Sequence, residues 1–239
     1  MAQQIAQPDI ETLFGAGAHF GRSRSRRHPT AEPYIFGSKD KNDIFDLTRT
    51  AECLTKALEA VAKTAGEGKQ VLFVGGKAEV SAIVKAAAER VGAPFVAGRW
   101  IGGTLTNFKQ IRRRADRLVK LTAEKERGEL DKYTKKERLL IDREIEELEQ
   151  RFRGIVDMTE RPGIVFVVDT RHEHTAIKEA VQMNIPVIGL ANTDCDFTGI
   201  TFPIPANDSN TKSVSYFVHA IADAFWSYKK AATPAAKHK

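Results

Sequence analysis

Four short apolar runs, at 71–74, 95–97, 164–168 and 187–190, are continuous rather than alternating. A strand of that kind gives no face to water, so the fold must cover it on both sides. Between the first two, Val80, Ile83, Val84, Ala87, Ala88 and Val91 recur at spacings of three and four, which predicts a helix over 78–91 stopped by Gly92. Residues 71–97 therefore form a βαβ unit. The same grammar returns with the strand at 164–168, a helix over 173–184 turning Ala176, Ile177, Ala180 and Val181 inward, and Pro186 opening the next strand. Alternation of this kind predicts an α/β, flavodoxin-like (Rossmann-like) fold, a mostly parallel sheet flanked by helices. Further helices are expected over 46–63 and 213–228.

A different architecture interrupts this pattern. Phe108, Ile111, Ala115 and Leu118 keep a three-four spacing, and after Gly128 the series Ile141, Ile145, Leu148, Phe152, Ile155 steps by four and three. Thr134 and Glu137 have the spacing of a capping box at the start of the second arm. Two arms of about 20 residues at 1.5 Å per residue predict an antiparallel coiled-coil hairpin roughly 30 Å long. The expected organisation is an α/β globular domain from 1–105 and 154–228 with an N-terminal loop, an inserted helical hairpin at 106–153, and a basic flexible tail at 229–239.

At 239 residues the chain is long enough to bury a substantial core. Every apolar run falls short of the roughly 18 residues of a membrane span, and the N-terminus lacks the pattern of a signal peptide. A cytosolic protein with no membrane partner is expected. Cys53 and Cys195 cannot build a disulfide or metal-finger framework by themselves. The net charge of +6 is unevenly placed. Arg22, Arg24, Arg26 and Arg27 carry +4; Lys109, Arg112, Arg113, Arg114, Arg117 and Lys120, less Asp116, carry +5; Lys229, Lys230, Lys237 and Lys239 carry +4, leaving −7 for the rest. Basic clusters on an acidic body are the layout of a polyanion binder.

Strand ends are where an open α/β sheet binds ligands, so an enzyme would show itself there. Val74-Gly75-Gly76-Lys77 is too short for a phosphate loop, and Ala78 stands where Ser or Thr would ligate magnesium. The dinucleotide glycine fingerprint is missing. Asp169, His172 and His174, with Asp194, Cys195 and Asp196 one strand later, offer a possible four-ligand metal set of which His172, His174, Asp194 and Cys195 are the key members. The spacings of zinc hydrolases are absent, and Cys195 has no dedicated base. A metal- or nucleotide-dependent enzyme on a flavodoxin-like fold is the alternative reading; the favoured one has no catalytic residues, no cofactor and no small-molecule substrate.

The residues that catalysis leaves unexplained are those RNA uses. Ala16-Gly17-Ala18-His19-Phe20-Gly21, the arginines 22, 24, 26 and 27, and Pro33-Tyr34-Ile35-Phe36-Gly37 mix glycine, arginine and aromatic residues. Arginine forks grip phosphate and stack on bases. A second such segment, Arg99-Trp100-Ile101-Gly102-Gly103-Thr104-Leu105-Thr106-Asn107-Phe108, leads into the basic arm of the hairpin. Trp100 is expected to be at least half in packing. The candidate RNA-binding residues are Arg22, Arg24, Arg26, Arg27, Arg99, Asn107, Lys109, Arg112, Arg113 and Arg114.

With these segments, Asp46-Leu47, 71–75, 166–171, 185–189 and Phe202-Pro203-Ile204-Pro205 with Asn207-Asp208, the sequence resembles the bacterial small-subunit ribosomal protein two family over most of its length. The 99–107 stretch is by itself highly specific. Departures occur at Arg22, where the family commonly has a second histidine, at Arg27-His28-Pro29, where it has Trp-Asn-Pro, and at Phe197, where it has proline. The resemblance implies a structural part in the small ribosomal subunit in the cytoplasm. Its implied partners are small-subunit rRNA and neighbouring small-subunit proteins, including the large mRNA-binding protein one that it helps to dock.

Overall fold

The computed structural model describes residues 8–232. A short helix, α1 (Ile10–Gly15), is capped by the Asp9 carboxylate, which accepts from the amides of Glu11 and Thr12. Three strands follow, β1 (Phe20–Ser23), β2 (Ile35–Lys39) and β3 (Asn42–Phe45), paired antiparallel in the order β1-β3-β2. This small sheet corrects the expectation of a plain loop. Its hairpin turns at Asp40 and Lys41, whose φ values of 51° and 65° are the left-handed pair a two-residue turn requires. Asn-Gly or Asp-Gly would have announced that turn; Asp-Lys does not.

The body continues as α2 (Leu47–Gly66), β4 (Val71–Val74), α3 (Ala78–Val91), β5 (Phe95–Val96), α4 (Phe108–Glu126), α5 (Lys135–Phe152), β6 (Ile164–Val168), α6 (His174–Gln182), β7 (Val187–Ala191), β8 (Phe202–Pro205) and α7 (Thr211–Ala232). Asp46 caps α2 by accepting the Thr48 amide at 2.9 Å, and Gly92 ends α3 at φ 59°. The five strands from β4 onward form one parallel sheet, ordered β5-β4-β6-β7-β8. Numbered from β4, that order is the 2-1-3-4-5 of flavodoxin-like sheets. The fifth strand is hidden in the sequence, because Pro203 and Pro205 lack the N–H that a central strand needs; β8 lies at an edge, where proline is tolerated.

Successive residues of β4 and β6 face opposite layers, as the pleat dictates. Val71, Phe73, Ile164, Phe166 and Val168 pack with α2, α3 and α7 through Leu54, Val61, Val84, Phe217, Ile221 and Phe225. Leu72, Val74, Val165 and Val167 face the other way, into a cluster that holds Ala176 and Ala180 of α6, Trp100 and Leu105, and the seam of α4 and α5. Val181, expected to turn inward with them, is exposed, because the helix's buried stripe runs through Ala176, Ile177, Glu179 and Ala180 instead. The two long helices lie in the connection from β5 to β6. They run antiparallel: Arg117 makes a bidentate pair with Glu144 at 2.5 and 2.9 Å, and Lys125 meets Asp142 at 2.7 Å. The predicted capping box at Thr134 and Glu137 is present.

Where this pair of helices returns to the body, Gly154 crosses β5 so closely that an added Cβ would stand 2.2 Å from the Phe95 carbonyl oxygen. Residues 229–232, expected to begin a tail, continue α7, and the Lys229 ammonium donates to the Gly92 carbonyl. The remainder of that expected tail lies outside the described residues. Among the described residues no helix is long and apolar enough to cross a membrane.

Candidate functional site

The crevice where the strand order reverses lies between the ends of β4 and β6, and the protein fills it with its own side chains. The Gly76 amide, which would face a phosphate in a nucleotide-binding relative of this fold, donates to Oε1 of buried Glu173 at 3.0 Å. A Cβ on Gly76 would stand 2.3 Å from the Gly98 carbonyl oxygen and 2.8 Å from that same carboxylate. Lys77 is held 3.2 Å from Asp169. A carboxylate already seated on the amide repels a phosphate, so this crevice does not serve one.

The four sequence-predicted metal ligands do not converge. His172 is paired with Glu173 at 2.8 Å, His174 lies against Thr175, and Asp194 pairs with Arg171 at 2.7 Å. The donors that do assemble are those of Asp169, Cys195 and Asp208, all within 4.8 Å of one another. Burial pushes the Cys195 thiol up to about 12, which leaves it protonated and a poor nucleophile at neutral pH. Burial, with Asp169 nearby, also raises Asp208 above the ordinary aspartate range. Asp208 accepts from Asn192 at 2.9 Å and Ser209 at 3.0 Å, with the Arg22 guanidinium 3.5 Å away.

The arginines of the N-terminal segment divide into two kinds. Arg27 clamps Asp43, a fully buried carboxylate of β3, with two guanidinium nitrogens; this fork holds the Asp43 carboxyl below the usual range. Arg22 reaches Ser209 and Asp208, and its amide donates to Thr193 Oγ1 at 2.9 Å. Arg27 thus braces the small sheet internally, while Arg22 fastens it over the ends of β7 and β8, helped by the Asn207 amide on the Ala18 carbonyl at 3.0 Å. Arg24 and Arg26 instead stand exposed, with no ion pair among the described residues. In the same N-terminal segment the His19 ring stacks on Phe14 with centroids 4.4 Å apart, while Phe20 and Phe36 are exposed.

The segment from 99 to 107 is organised by one residue that no motif in the sequence singles out. Glu179 of α6 is buried, and its carboxylate accepts from Trp100 Nε1 at 3.0 Å, from the amides of Gly103, Leu105 and Thr106 at 2.8, 3.0 and 3.1 Å, and from the Thr106 hydroxyl at 3.1 Å. Burial pushes its carboxyl up, but the Trp100, Gly103, Thr106 and Leu105 donors together outweigh this and hold it below the usual glutamate value. A signal was available: Glu179 sits between Ala176 and Ala180 on the inward stripe of its helix. Trp100 is thereby a packing residue, as expected. Arg99, Asn107, Lys109, Arg113 and Arg114 are exposed, whereas Arg112 folds back onto the carbonyls of Val156 and Met158 and pairs with Asp116 at 2.6 Å.

The sequence model of the family described as Ribosomal protein S2 matches residues 13–227. A relative from Chloroherpeton thalassium, named small ribosomal subunit protein uS2, is 42% identical over 92% of this chain and 88% of its own length. One of the same name from Marinobacter nauticus is 41% identical over 92% of this chain and 88% of its own. The protein named uS2c from Emiliania huxleyi is 40% identical over 88% of this chain and 92% of its own.

Proposed function

Because the chain belongs to the ribosomal protein S2 family, a structural component of the small ribosomal subunit and not an enzyme, we propose that it works by binding small-subunit rRNA and neighbouring small-subunit proteins. The observation that carries the RNA reading is the division among the ten candidate residues. Arg24, Arg26, Arg99, Asn107, Lys109, Arg113 and Arg114 point outward without an ion pair among the described residues, and these are the proposed RNA contacts. Arg22, Arg27 and Arg112 hold the surfaces that present them. Unpaired arginines keep their forks for phosphate oxygens, and such contacts position a protein on RNA without reading its sequence.

In this reading α4 and α5 form a coiled-coil arm that is a separate module at 106–153. Support comes from the ion pairs between the arms and from a seam of Ile111, Ala115, Leu118, Ile145 and Leu148. Docking of the large mRNA-binding protein one is supported by family membership. The test is co-sedimentation of the full chain with small subunits, with rRNA affinity measured against salt. Replacing Arg24, Arg26, Arg113 and Arg114 by Ala should flatten log affinity against log salt by about 0.7–0.9 for each phosphate no longer neutralised. An unchanged slope in a folded variant rejects the RNA assignment, and capture of protein one by subunits lacking this chain rejects the docking role.

A further inference from the structure

We propose that a cleft at the junction of body and arm binds the phosphodiester backbone of an RNA strand through Lys85, Arg99 and Arg153. The proposal rests on the reading of the protein as an rRNA binder and extends it from Arg99, one of the contacts already proposed, to a cleft that adds Lys85 and Arg153. The cleft, of about 320 Å³, opens beside β5 where the turn after α5 crosses it. Its three cations come from three elements: Lys85 from α3, Arg99 from the segment after β5, and Arg153 from the end of α5. Residues so far apart in the chain do not converge because one helix face needs solvating.

All three side chains are exposed and none has an ion pair among the described residues. Arg151 also lines the cleft, but Glu147 takes it at 2.6 Å. Glu149 is the one carboxylate in the lining, so the net charge stays positive. Ala97 and Gly98 line it as well, and a methyl added at Gly98 would meet nothing within 4 Å, leaving room for a group the size of a phosphate.

The chemistry favours a repeating backbone over a small ligand. Gln150 is the only uncharged polar side chain in the lining, too little to orient a base or a sugar. Two guanidinium forks and an ammonium suit successive phosphates, which need charge and bidentate donors rather than a fixed pose. An RNA strand seated there touches body and arm together, and therefore sets the angle between them.

The test uses the full chain with Lys85, Arg99 and Arg153 replaced by Ala, against the unaltered protein, with small-subunit rRNA fragments as the probe and salt as the variable. At about 0.7 per phosphate contact with single-stranded RNA, the slope of log affinity against log salt should fall by about two. If the triple variant melts below the parent, Lys85→Ala alone carries the test, with an expected drop of about 0.7. An unchanged slope while the parent binds rRNA overturns the cleft, and Arg99 as a contact with it, and leaves standing the reading that rests on Arg24, Arg26, Arg113 and Arg114. A parent without salt-dependent rRNA affinity overturns both. A variant that binds rRNA normally but is lost from small subunits assigns the cleft to an acidic protein segment and overturns the proposal.

Discussion

Replacing Glu179 by Ala would leave the Trp100 indole and the amides of Gly103, Leu105 and Thr106 without an acceptor, and removing one member of such a buried charged network costs about 3–5 kcal/mol. Chemical denaturation should read that loss. Glu179→Gln keeps the shape and removes the titration. Because the folded carboxyl lies below its ordinary 4.5, its contribution is complete above that value and disappears as pH falls through the lowered folded value. The gap in melting temperature between parent and Gln variant should therefore close on the acid side; a gap constant from about pH 7 to about pH 3 would contradict the hub. Arg27→Ala should cost about 2–3 kcal/mol by stranding Asp43 in the interior, whereas Arg24→Ala and Arg26→Ala should stay within about 0.5 kcal/mol. The sequence displays four similar arginines. What separates them is an aspartate 16 residues on for Arg27 and one 186 residues on for Arg22, and no local pattern carries that information.

Among elements, those that bury a regular stripe or an unbroken apolar run are legible from the sequence: α2, α3, β4, β6, β7 and both long helices fall where periodicity puts them. The β1-β3-β2 sheet is not, because most of its strand residues are half-buried or exposed with no regular apolar alternation, and its turn lacks glycine. Within the long helices, exposed pairs such as Lys125 with Asp142 are screened by water and salt and contribute little. Leu148→Ala in their buried seam should cost about 2–5 kcal/mol, so the seam and not the charges holds the arms together. Gly154→Ala tests the junction: its methyl has no room beside the Phe95 carbonyl, and the forced shift should cost about 1–3 kcal/mol. Equal stability of that variant and the parent would mean the crossing is looser than its geometry.

For the molecule as a whole, the arms occupy the crossover between β5 and β6, and their seam belongs to the same apolar cluster as Leu72, Val74, Val165 and Val167. Excising residues 113–147 behind a short glycine bridge should leave the body folding cooperatively. Removing all of 106–153 should lower its melting temperature markedly, since Phe152 and the Thr106 hydrogen bonds to Glu179 go too. Calorimetry separates the two deletions. The same crossover sets the order in which a growing chain can close its core. β4 is made early, yet β6, its parallel neighbour on one side, follows about 90 residues later, and α7, which lies over both α2 and α3, is the last described element to be made. Pairings between such distant parts of the chain form slowly. Until α7 is made, the nascent protein carries an open strand edge and a bare apolar face, the surfaces that chaperones hold and aggregates recruit.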